Sequence, residues 1–423
     1  MQNIEFALGK ESALQLDAKD SLRSCRDKFF VPKYSNGKEC IYLCGNSLGL
    51  QPKTVRAHIE QELRDWEEFG VEGHFHAKNP WMPYHEFLTQ PTARLVGAKP
   101  EEVVAMNTLT VNLHLLMVSF YRPTPQRNKI LIEFSAFPSD QYAVQSQIKF
   151  HGFDPETALI ELRPKAGREI IDWDDFESVM KDEGESIALI LIGGVNYYSG
   201  QLYDMARITK LGHEYGCTVA FDLAHAVGNV PLQLHDWNVD FAAWCTYKYL
   251  NSGPGSIGGC FIHEKYANRV DLPRFTGWWG HDKETRFQMK PDFTPIKGAE
   301  GWQLSNPPIL SLAAVRASLE IFDEVGMQRL REKSLLLTGY LEYLIDHIGS
   351  DEISIITPRN PEERGCQLSI QAKRNGPRLF ERLSSEGVIC DWREPDVIRV
   401  APVPLYNSYM DVYRFSEILK NNL

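Results

Sequence analysis

The sequence has no long hydrophobic run. The best one, Ile187–Val195, spans nine residues, whereas a membrane-spanning helix needs about 20 apolar residues. The first twenty residues also lack a basic flank followed by an apolar stretch. We therefore expect neither a secretory signal nor an association with membranes.

Cysteine is sparse. The eight cysteines are scattered over 423 residues, a distribution that does not form a disulfide scaffold and is typical of reduced thiols in a cytoplasmic protein. The histidine pairs at positions 74/76 and 225/235 have no acidic or cysteine residues near them at the spacing of metal ligands. The Cys40–Cys44 pair lacks the second pair of ligands that a zinc site needs. We predict no metal site.

Basic residues are outnumbered. The chain has 45 Lys and Arg against 56 Asp and Glu, which gives a formal net charge of -11. A field of this sign repels a phosphate backbone. Nucleic acid is therefore not expected as a partner, although local donors can still hold an anionic cofactor.

The middle of the chain alternates short apolar runs with amphipathic stretches, which is typical of a parallel sheet covered by helices on both faces. The apolar runs predict strands at Lys129–Glu133, Ile187–Val195, Cys217–Asp222, Asp240–Thr246 and Ser256–His263. Helical spacing or composition predicts helices at Thr54–Phe69, Val111–Phe120, Asp140–Phe150 and Tyr203–Tyr215.

The pattern changes after Pro307-Pro308. Two long helices are predicted first, and strand-like segments with one more helix follow. The predicted elements are helices Ile309–Phe322, Met327–Ile348 and Pro377–Ser385, and strands Ile353–Thr357, Gln367–Ala372, Val388–Asp391 and Val397–Ala401. We therefore predict a large α/β domain over residues 50–309 and a smaller α+β domain over 310–423, with residues 1–49 packing against the smaller one.

Acid–base side chains lie where three predicted strands end. Asp222 closes one strand, Tyr247 and Lys248 follow the next one, and Asp140 comes shortly after a third. Because ligands of open α/β sheets bind at the carboxyl ends of the strands, these groups should converge. Alone, a lysine there is usually solvated and an aspartate usually caps a helix or forms a turn; their combination favours a site.

This set of residue types suits pyridoxal 5′-phosphate (PLP). The cofactor needs a lysine amine to form a Schiff base with it and a carboxylate to keep its pyridine nitrogen protonated. Lys248 and Asp222 fit these two requirements. Thr110 is predicted to cap the helix Val111–Phe120, whose N-terminal N–H groups would bind the phosphate.

Seven segments, in order from about Tyr42 to Pro404, resemble those of kynureninases. Together they are highly specific, whereas a single motif such as SNPP would be weak. They are GNSLGLQPK (45–53), MNTLTVNLHLLMVSF (106–120), FPSDQYA (137–143), FDLAHAVGNV (221–230), WCTYKYLNSGPG (244–255), GWWGH (277–281) and SNPPIL (305–310).

The resemblance implies a fold-type I PLP enzyme of α/β class. It implies a large domain with a mostly parallel seven-stranded sheet between helices, and a smaller α+β domain beside it. It also implies a homodimer whose active sites are shared across the interface. The implied reaction is hydrolytic Cβ–Cγ cleavage of L-kynurenine or 3-hydroxy-L-kynurenine to anthranilate or 3-hydroxyanthranilate plus L-alanine. That reaction belongs to tryptophan degradation, and a role in quinolinate and NAD biosynthesis stays open.

The resemblance also assigns roles to individual residues. Lys248 is the Schiff-base lysine, Asp222 the pyridine-nitrogen partner and Tyr247 a phosphate ligand and proton carrier. The remaining implied cofactor contacts are Leu109, Thr110, Phe137, Asp140, His225, Trp278 and Asn306. The implied substrate contacts are Ser47, His74, Asn306 and Arg399, the last gripping the carboxylate. One departure is Gly193, where many relatives carry a hydroxyl residue.

Two other functions stay open at this point. A cysteine desulfurase or selenocysteine lyase shares the fold but needs a reactive cysteine on a mobile loop over the site. Cys366, in RGCQLSI, is the candidate, and a packed structural thiol is the favoured interpretation. A non-catalytic protein of the same fold would be expected to have lost the lysine.

Overall fold

The computed structural model describes residues 5–34 and 37–423. None of the helices within these ranges combines the length and the apolar character that crossing a membrane requires. The α-helices are α1 (Lys10–Lys19), α2 (Val55–Phe69), α3 (Gly73–His76), α4 (Thr89–Val96), α5 (Leu109–Phe120), α6 (Pro138–Phe150), α7 (Pro155–Ala158), α8 (Trp173–Glu183), α9 (Met205–Glu214), α10 (Ile309–Val325), α11 (Met327–Asp346), α12 (Gly376–Ser385) and α13 (Tyr409–Asn422).

The strands of the described residues form two larger sheets and two short pairs. They are β1 (Phe29–Phe30), β2 (Ile41–Tyr42), β3 (Gln51–Pro52), β4 (Val103–Ala105), β5 (Lys129–Glu133), β6 (Leu159–Leu162), β7 (Ile187–Gly193), β8 (Thr218–Asp222), β9 (Phe241–Trp244), β10 (Gly259–Ile262), β11 (Ile353–Ile355), β12 (Leu368–Ala372), β13 (Val388–Ile389), β14 (Asp391–Arg393) and β15 (Val397–Val400).

The central sheet has seven strands in the order β4-β10-β9-β8-β7-β5-β6. The five strands from β9 to β6 run parallel, and β10 is antiparallel to both of its neighbours. This confirms the expected mostly parallel sheet. β4 and β6, which are only three and four residues long, were not predicted.

Apolar side chains on both faces explain why these segments become central strands. All seven residues of β7 are buried. Its Ile190 and Ile192 pack in one hydrophobic cluster, whereas Leu189 and Leu191 pack in a second. Successive side chains of a strand point to opposite faces, so helices must cover the sheet on both sides.

The C-terminal part has its own sheet, in which β11, β12, β15 and β14 are antiparallel. The predicted strand Val388–Asp391 is wrong as one element, because the chain changes sheets at Cys390. β13 pairs with β2 and β14 pairs with β15. Through β2 and α1, the N-terminal segment packs against α11, α13 and this sheet. The domain boundaries themselves stay a prediction.

Candidate active site

A cavity of about 220 Å³ lies beyond the carboxyl ends of β5, β7, β8 and β9. It contains eight of the predicted site residues together with several that were not predicted. The lining residues are Thr108, Leu109, Thr110, Glu133, Phe137, Ser139, Asp140, Gly193, Val195, Tyr197, Asp222, Ala224, His225, Tyr247 and Lys248.

Lys248 and His225 meet in this cavity. Lys248 Nζ lies 3.0 Å from His225 Nε2, and the lysine nitrogen is 5.7 Å from the centre of the Phe137 ring. Burial, reinforced by the Lys248 charge, lowers the pKa of His225 well below its usual value. The imidazole is therefore neutral, and its Nε2 accepts a hydrogen bond from Lys248 Nζ.

Three buried carboxyl groups, those of Glu133, Asp140 and Asp222, line the same cavity as the lysine. Burial is the main cause that raises the pKa of Asp222 and Asp140, and it raises the pKa of Glu133 to about 7. The Asp222 charge and a hydrogen bond with Asp222 raise the pKa of Asp140 further. The backbone N–H of Ala224, 2.7 Å away, and the Lys248 charge favour the ionised form of Asp222. In this pair the proton lies on Asp140 and the negative charge on Asp222.

The N-terminus of α5 forms one wall of the cavity. The prediction that Thr110 caps this helix is wrong, because Asn107 has a positive φ of 47° and the extended Thr108 takes the N-cap position. The helix thus begins at Leu109, two residues earlier than predicted. Thr110 instead shares a hydrogen bond of 2.6 Å with Ser139. The first N–H groups of a helix have no partner within it and suit an anion.

Tyr247 lines the cavity. Burial is the main cause that raises the pKa of its hydroxyl group, and the neighbouring Cys245 raises it further. The carbonyl oxygen of Tyr247 accepts a hydrogen bond of 2.8 Å from the Gly49 N–H. A Cβ atom on Gly49 would lie 2.2 Å from the Lys248 carbonyl oxygen, so only glycine allows the two segments to come this close.

Arg399 lies behind the cavity wall on β15. It is buried and paired with Asp391, and its Nη1 donates to the carbonyl oxygen of Tyr197 at 2.6 Å. Tyr197 in turn contacts Phe137, with 5.3 Å between the ring centres. The predicted carboxylate-binding arginine therefore does not line the cavity itself but contacts Tyr197, which does.

Besides Arg399, four predicted site residues do not line the cavity of the single chain. Ser47 is half-buried and Asn306 is exposed. His74 Nδ1 lies 2.9 Å from the Val71 carbonyl oxygen. Trp278 is exposed, and its indole N–H donates to a backbone carbonyl 3.2 Å away. Their roles stay predictions.

Sequence reasoning missed Glu133 and Tyr197. Glu133 Oε2 accepts a hydrogen bond of 3.1 Å from Gly193 N. A Cβ atom at Gly193 would lie 2.9 Å from Glu133 Oε1. The carboxyl group of Glu133 therefore occupies space that a side chain at position 193 would need. The signal for Glu133 was available, since it is an acid that ends an apolar strand, as Asp222 is. No comparable pattern marked Tyr197.

Among the residues that the structure describes, two clusters of possible metal ligands lie outside the cavity, and protein groups contact the ligand atoms of both. Glu102 accepts hydrogen bonds from His235 and from the Glu264 N–H. In the other cluster, Lys283 forms ion pairs with Glu86 and Glu300. We assign no metal to either cluster.

Comparison with known proteins gives concordant matches. The model of the kynureninase C-terminal domain matches residues 330–419. A kynureninase from Koribacter versatilis is 62% identical over 99% of both chains, and one from Myxococcus xanthus is 57% identical over 99% of this chain and 98% of its own. The solved structure of a cysteine desulfurase from Thermococcus onnurineus superposes with a TM-score of 0.76 at 17% identity, covering 90% of this chain and 94% of its own.

The parallel sheet, the lysine beyond one strand and the carboxylate at the end of the next define the class of this protein: it has the fold of the fold-type I PLP-dependent enzymes. Identity above 50% over nearly the whole length then identifies the family. The chain belongs to the kynureninases. Enzymes of this family are PLP-dependent hydrolases that cleave a carbon–carbon bond.

Proposed function

We propose that this chain hydrolyses L-kynurenine or 3-hydroxy-L-kynurenine to the corresponding anthranilate and L-alanine. Family membership supports the reaction, and the observation that carries it to particular residues is the meeting of Lys248, His225 and Asp222 in one cavity. The wider roles that follow are tryptophan degradation and the supply of precursors for NAD biosynthesis.

The cavity fits PLP. Buried polar atoms with no hydrogen-bond partner in the described part of the chain include Asp140 Oδ1 and His225 Nδ1, and both residues line the cavity. Lys248 would hold the cofactor covalently, the Asp222 carboxylate would face its pyridine nitrogen, and the start of α5 would bind its phosphate. When bound, PLP supplies an electron sink for the carbanions of the substrate.

The chain's own groups supply the proton transfers. The Lys248 amine is the base for the α-proton of the substrate, since it is the lysine among the lining residues. Neutral His225 accepts a hydrogen bond from Nζ and so holds the amine in place. Tyr247, whose raised pKa keeps its hydroxyl group protonated, is the candidate proton donor to the carbon that becomes the methyl group of L-alanine.

The substrate contacts complete the proposal. Arg399 would bind the α-carboxylate, and Ser47, His74 and Asn306 would line the pocket of the aromatic ring. Since Asn306 and Trp278 lie on the exposed surface of one chain, we propose a homodimer in which a second copy brings these two residues to the cavity. The eight free cysteines support a cytoplasmic location.

The cysteine desulfurase alternative is less supported. Likeness to the solved desulfurase structures shows the fold alone, since identity is 15–17%. Cys366 is fully buried, which is the main cause that raises its pKa to about 12. No cysteine is among the residues that line the cavity, so the reactive thiol that such an enzyme needs is missing from the site.

Substrate turnover tests the proposal. The purified protein with PLP should release anthranilate and L-alanine from L-kynurenine, and kcat/KM for both kynurenines gives the preference. Lys248→Ala should abolish steady-state turnover. Release of sulfide and alanine from L-cysteine, without cleavage of either kynurenine, would overturn the proposal in favour of a desulfurase.

A further inference from the structure

Asp391 and Arg399 lie directly opposite each other on β14 and β15. Side chains at opposed positions of neighbouring strands project from the same face of the sheet. Arg399 is 1% exposed, so its charge is removed from water. Such a buried guanidinium needs a fixed partner, and Asp391 is that partner.

Five N–H groups radiate from a guanidinium in fixed directions. In Arg399, Nε donates to Asp391 Oδ1 at 2.6 Å, and Nη2 donates to Asp391 Oδ2. Nη1 donates to the Tyr197 carbonyl oxygen at 2.6 Å. Three groups are thus engaged within the described chain. The two that remain lie one on each terminal nitrogen, where a pair of N–H groups can form an end-on fork that matches a carboxylate.

The charges around this fork do not cancel. Asp391 Oδ2 is also 3.2 Å from Nη2 of Arg393. Two guanidinium groups therefore share one carboxylate, and the cluster carries a net charge of +1. The excess charge lies next to Tyr197, which lines the cavity and whose ring centre is 5.9 Å from the guanidinium carbon of Arg399. One further carboxylate, supplied by a ligand, would neutralise it.

We propose that Asp391, together with the Tyr197 carbonyl, is a positioning residue that aims the free fork of Arg399 at the α-carboxylate of the substrate. The residue acts through Arg399 and touches neither the substrate nor the cofactor. This inference rests on the proposed function only in requiring an α-amino acid substrate. It adds to the site a residue of the C-terminal sheet, whereas Asp222 and Lys248 lie at or beyond the ends of central strands.

Ligand binding separates this role from a general effect on the fold. L-alanine and ethylamine differ only by the carboxylate, and their binding to the holoenzyme is followed by the change in visible absorption. In Asp391→Asn the dissociation constant for L-alanine should rise about 10- to 100-fold, the scale of a lost hydrogen bond to a charged group. The constant for ethylamine should stay within a factor of about two, and KM for L-kynurenine should rise far more than kcat falls.

Two further variants complete the design. Asp391→Glu keeps the charge but displaces the guanidinium, so L-alanine binding should still weaken even if Asp391→Asn fails to fold. Asp396→Asn, on the same hairpin, removes a carboxylate that contacts Tyr198 and Gln371 and not Arg399, and it should bind L-alanine as the unchanged protein does.

Unchanged L-alanine binding in Asp391→Glu and Asp391→Asn would overturn the positioning role. Equal weakening of L-alanine and ethylamine would also overturn it, since that result means a damaged pocket. The proposed reaction is judged separately, by kynurenine cleavage in the unchanged protein. Its failure would leave the L-alanine comparison valid for another amino-acid enzyme.

Discussion

At the scale of single residues, the cavity contains more acids than it needs for one cofactor contact. Glu133, Asp140 and Asp222 share it with one lysine, Lys248, among the lining residues. Burial is the main cause that raises the pKa of all three acids, and the charge of Asp222 raises the pKa of Glu133 and of Asp140 further. One charge, on Asp222, suffices for the pyridine nitrogen, and the raised pKa values of Glu133 and Asp140 favour the neutral forms of these two acids.

Glu133 makes this arrangement measurable without the cofactor. Its pKa is raised from 4.5 to about 7, so between these values the folded state holds a proton that the unfolded state has released. The contribution of Glu133 to the free energy of unfolding is therefore fully present below its unfolded pKa and is lost as pH rises to about 7. The loss is about 3 kcal/mol at about 1.4 kcal/mol per pH unit.

We expect Glu133→Gln to remove this dependence. The free energy of unfolding of the cofactor-free variant, measured with urea, should fall less than that of the unchanged protein between about pH 5 and about pH 8. Glu161→Gln, on the neighbouring strand β6 and outside the cavity, serves as the control. If the free energy of unfolding of Glu133→Gln and that of the unchanged protein change with pH in parallel, the folded protein does not raise the pKa of Glu133.

Tyr247→Phe tests the proton role at the same scale. The variant keeps the ring and the backbone bond to Gly49, so it should still bind PLP. It should lose about 10²- to 10⁴-fold in kcat, the range of a general acid or base. Tyr215→Phe, at the end of α9 and outside the cavity, is the matched control. Turnover near that of the control would remove Tyr247 from proton transfer.

At the scale of elements, the site depends on how closely two segments approach. The segment before β3 reaches the loop after β9 through Gly49, and a methyl group there would also meet Asn251 Oδ1 at 2.3 Å. Since Lys248 lies on this loop, a displacement would move the cofactor-binding amine. The N-terminal segment thus takes part in the site although its own strands are short.

Gly49→Ala should therefore weaken PLP binding. Overpacking typically costs about 1–3 kcal/mol, which corresponds to a rise of roughly 5- to 150-fold in the PLP dissociation constant. An absorption titration of the cofactor-free protein measures it. Leu48→Ala, which shortens an exposed side chain in the same segment, is the control. PLP binding equal to that of the control would mean that the loop tolerates the extra carbon.

How far the sequence predicts these elements depends on whether a local pattern marks them. β5 and the start of α11 were predicted to the residue, because an apolar run marks the first and an amphipathic pattern marks the second. The short strands β4 and β6 were missed, and Cys390 was not recognised as the point where the chain changes sheets. Such features depend on pairing partners far along the chain, which a local pattern does not contain.

The site was predictable to the extent that its residues end strands. Asp222, Tyr247 and Lys248 follow apolar runs, and the structure brings them together. Tyr197 and Asp391 carry no such signal, since their position depends on a loop and on strand register in a second sheet. Only the fold places them beside Phe137 and Arg399.

At the scale of the whole molecule, one chain does not bring every residue that the family resemblance implies to the cavity. Trp278 and Asn306 are exposed and lie outside the cavity. If a second copy supplies them, two different inactive chains should complement each other. Mixing Lys248→Ala with a Trp278→Ala/Asn306→Ala variant, after dissociation and reassembly, should restore about a quarter of full activity, the share expected for shared sites in a two-fold dimer.

Either variant reassembled alone should stay inactive and serves as the control. Absence of any recovery in the mixture, with mixed dimers present by mass spectrometry, would place each site within a single chain. The exposed positions of Trp278 and Asn306 would then need another explanation.

Borohydride reduction of the PLP-loaded protein, followed by peptide mapping, tests the central claim most directly. The reduction fixes the bond between a lysine Nζ and the aldehyde carbon of the cofactor. We predict one modified peptide, which carries the adduct on Lys248. An adduct on another lysine, or none at all, would contradict the site and the function built on it.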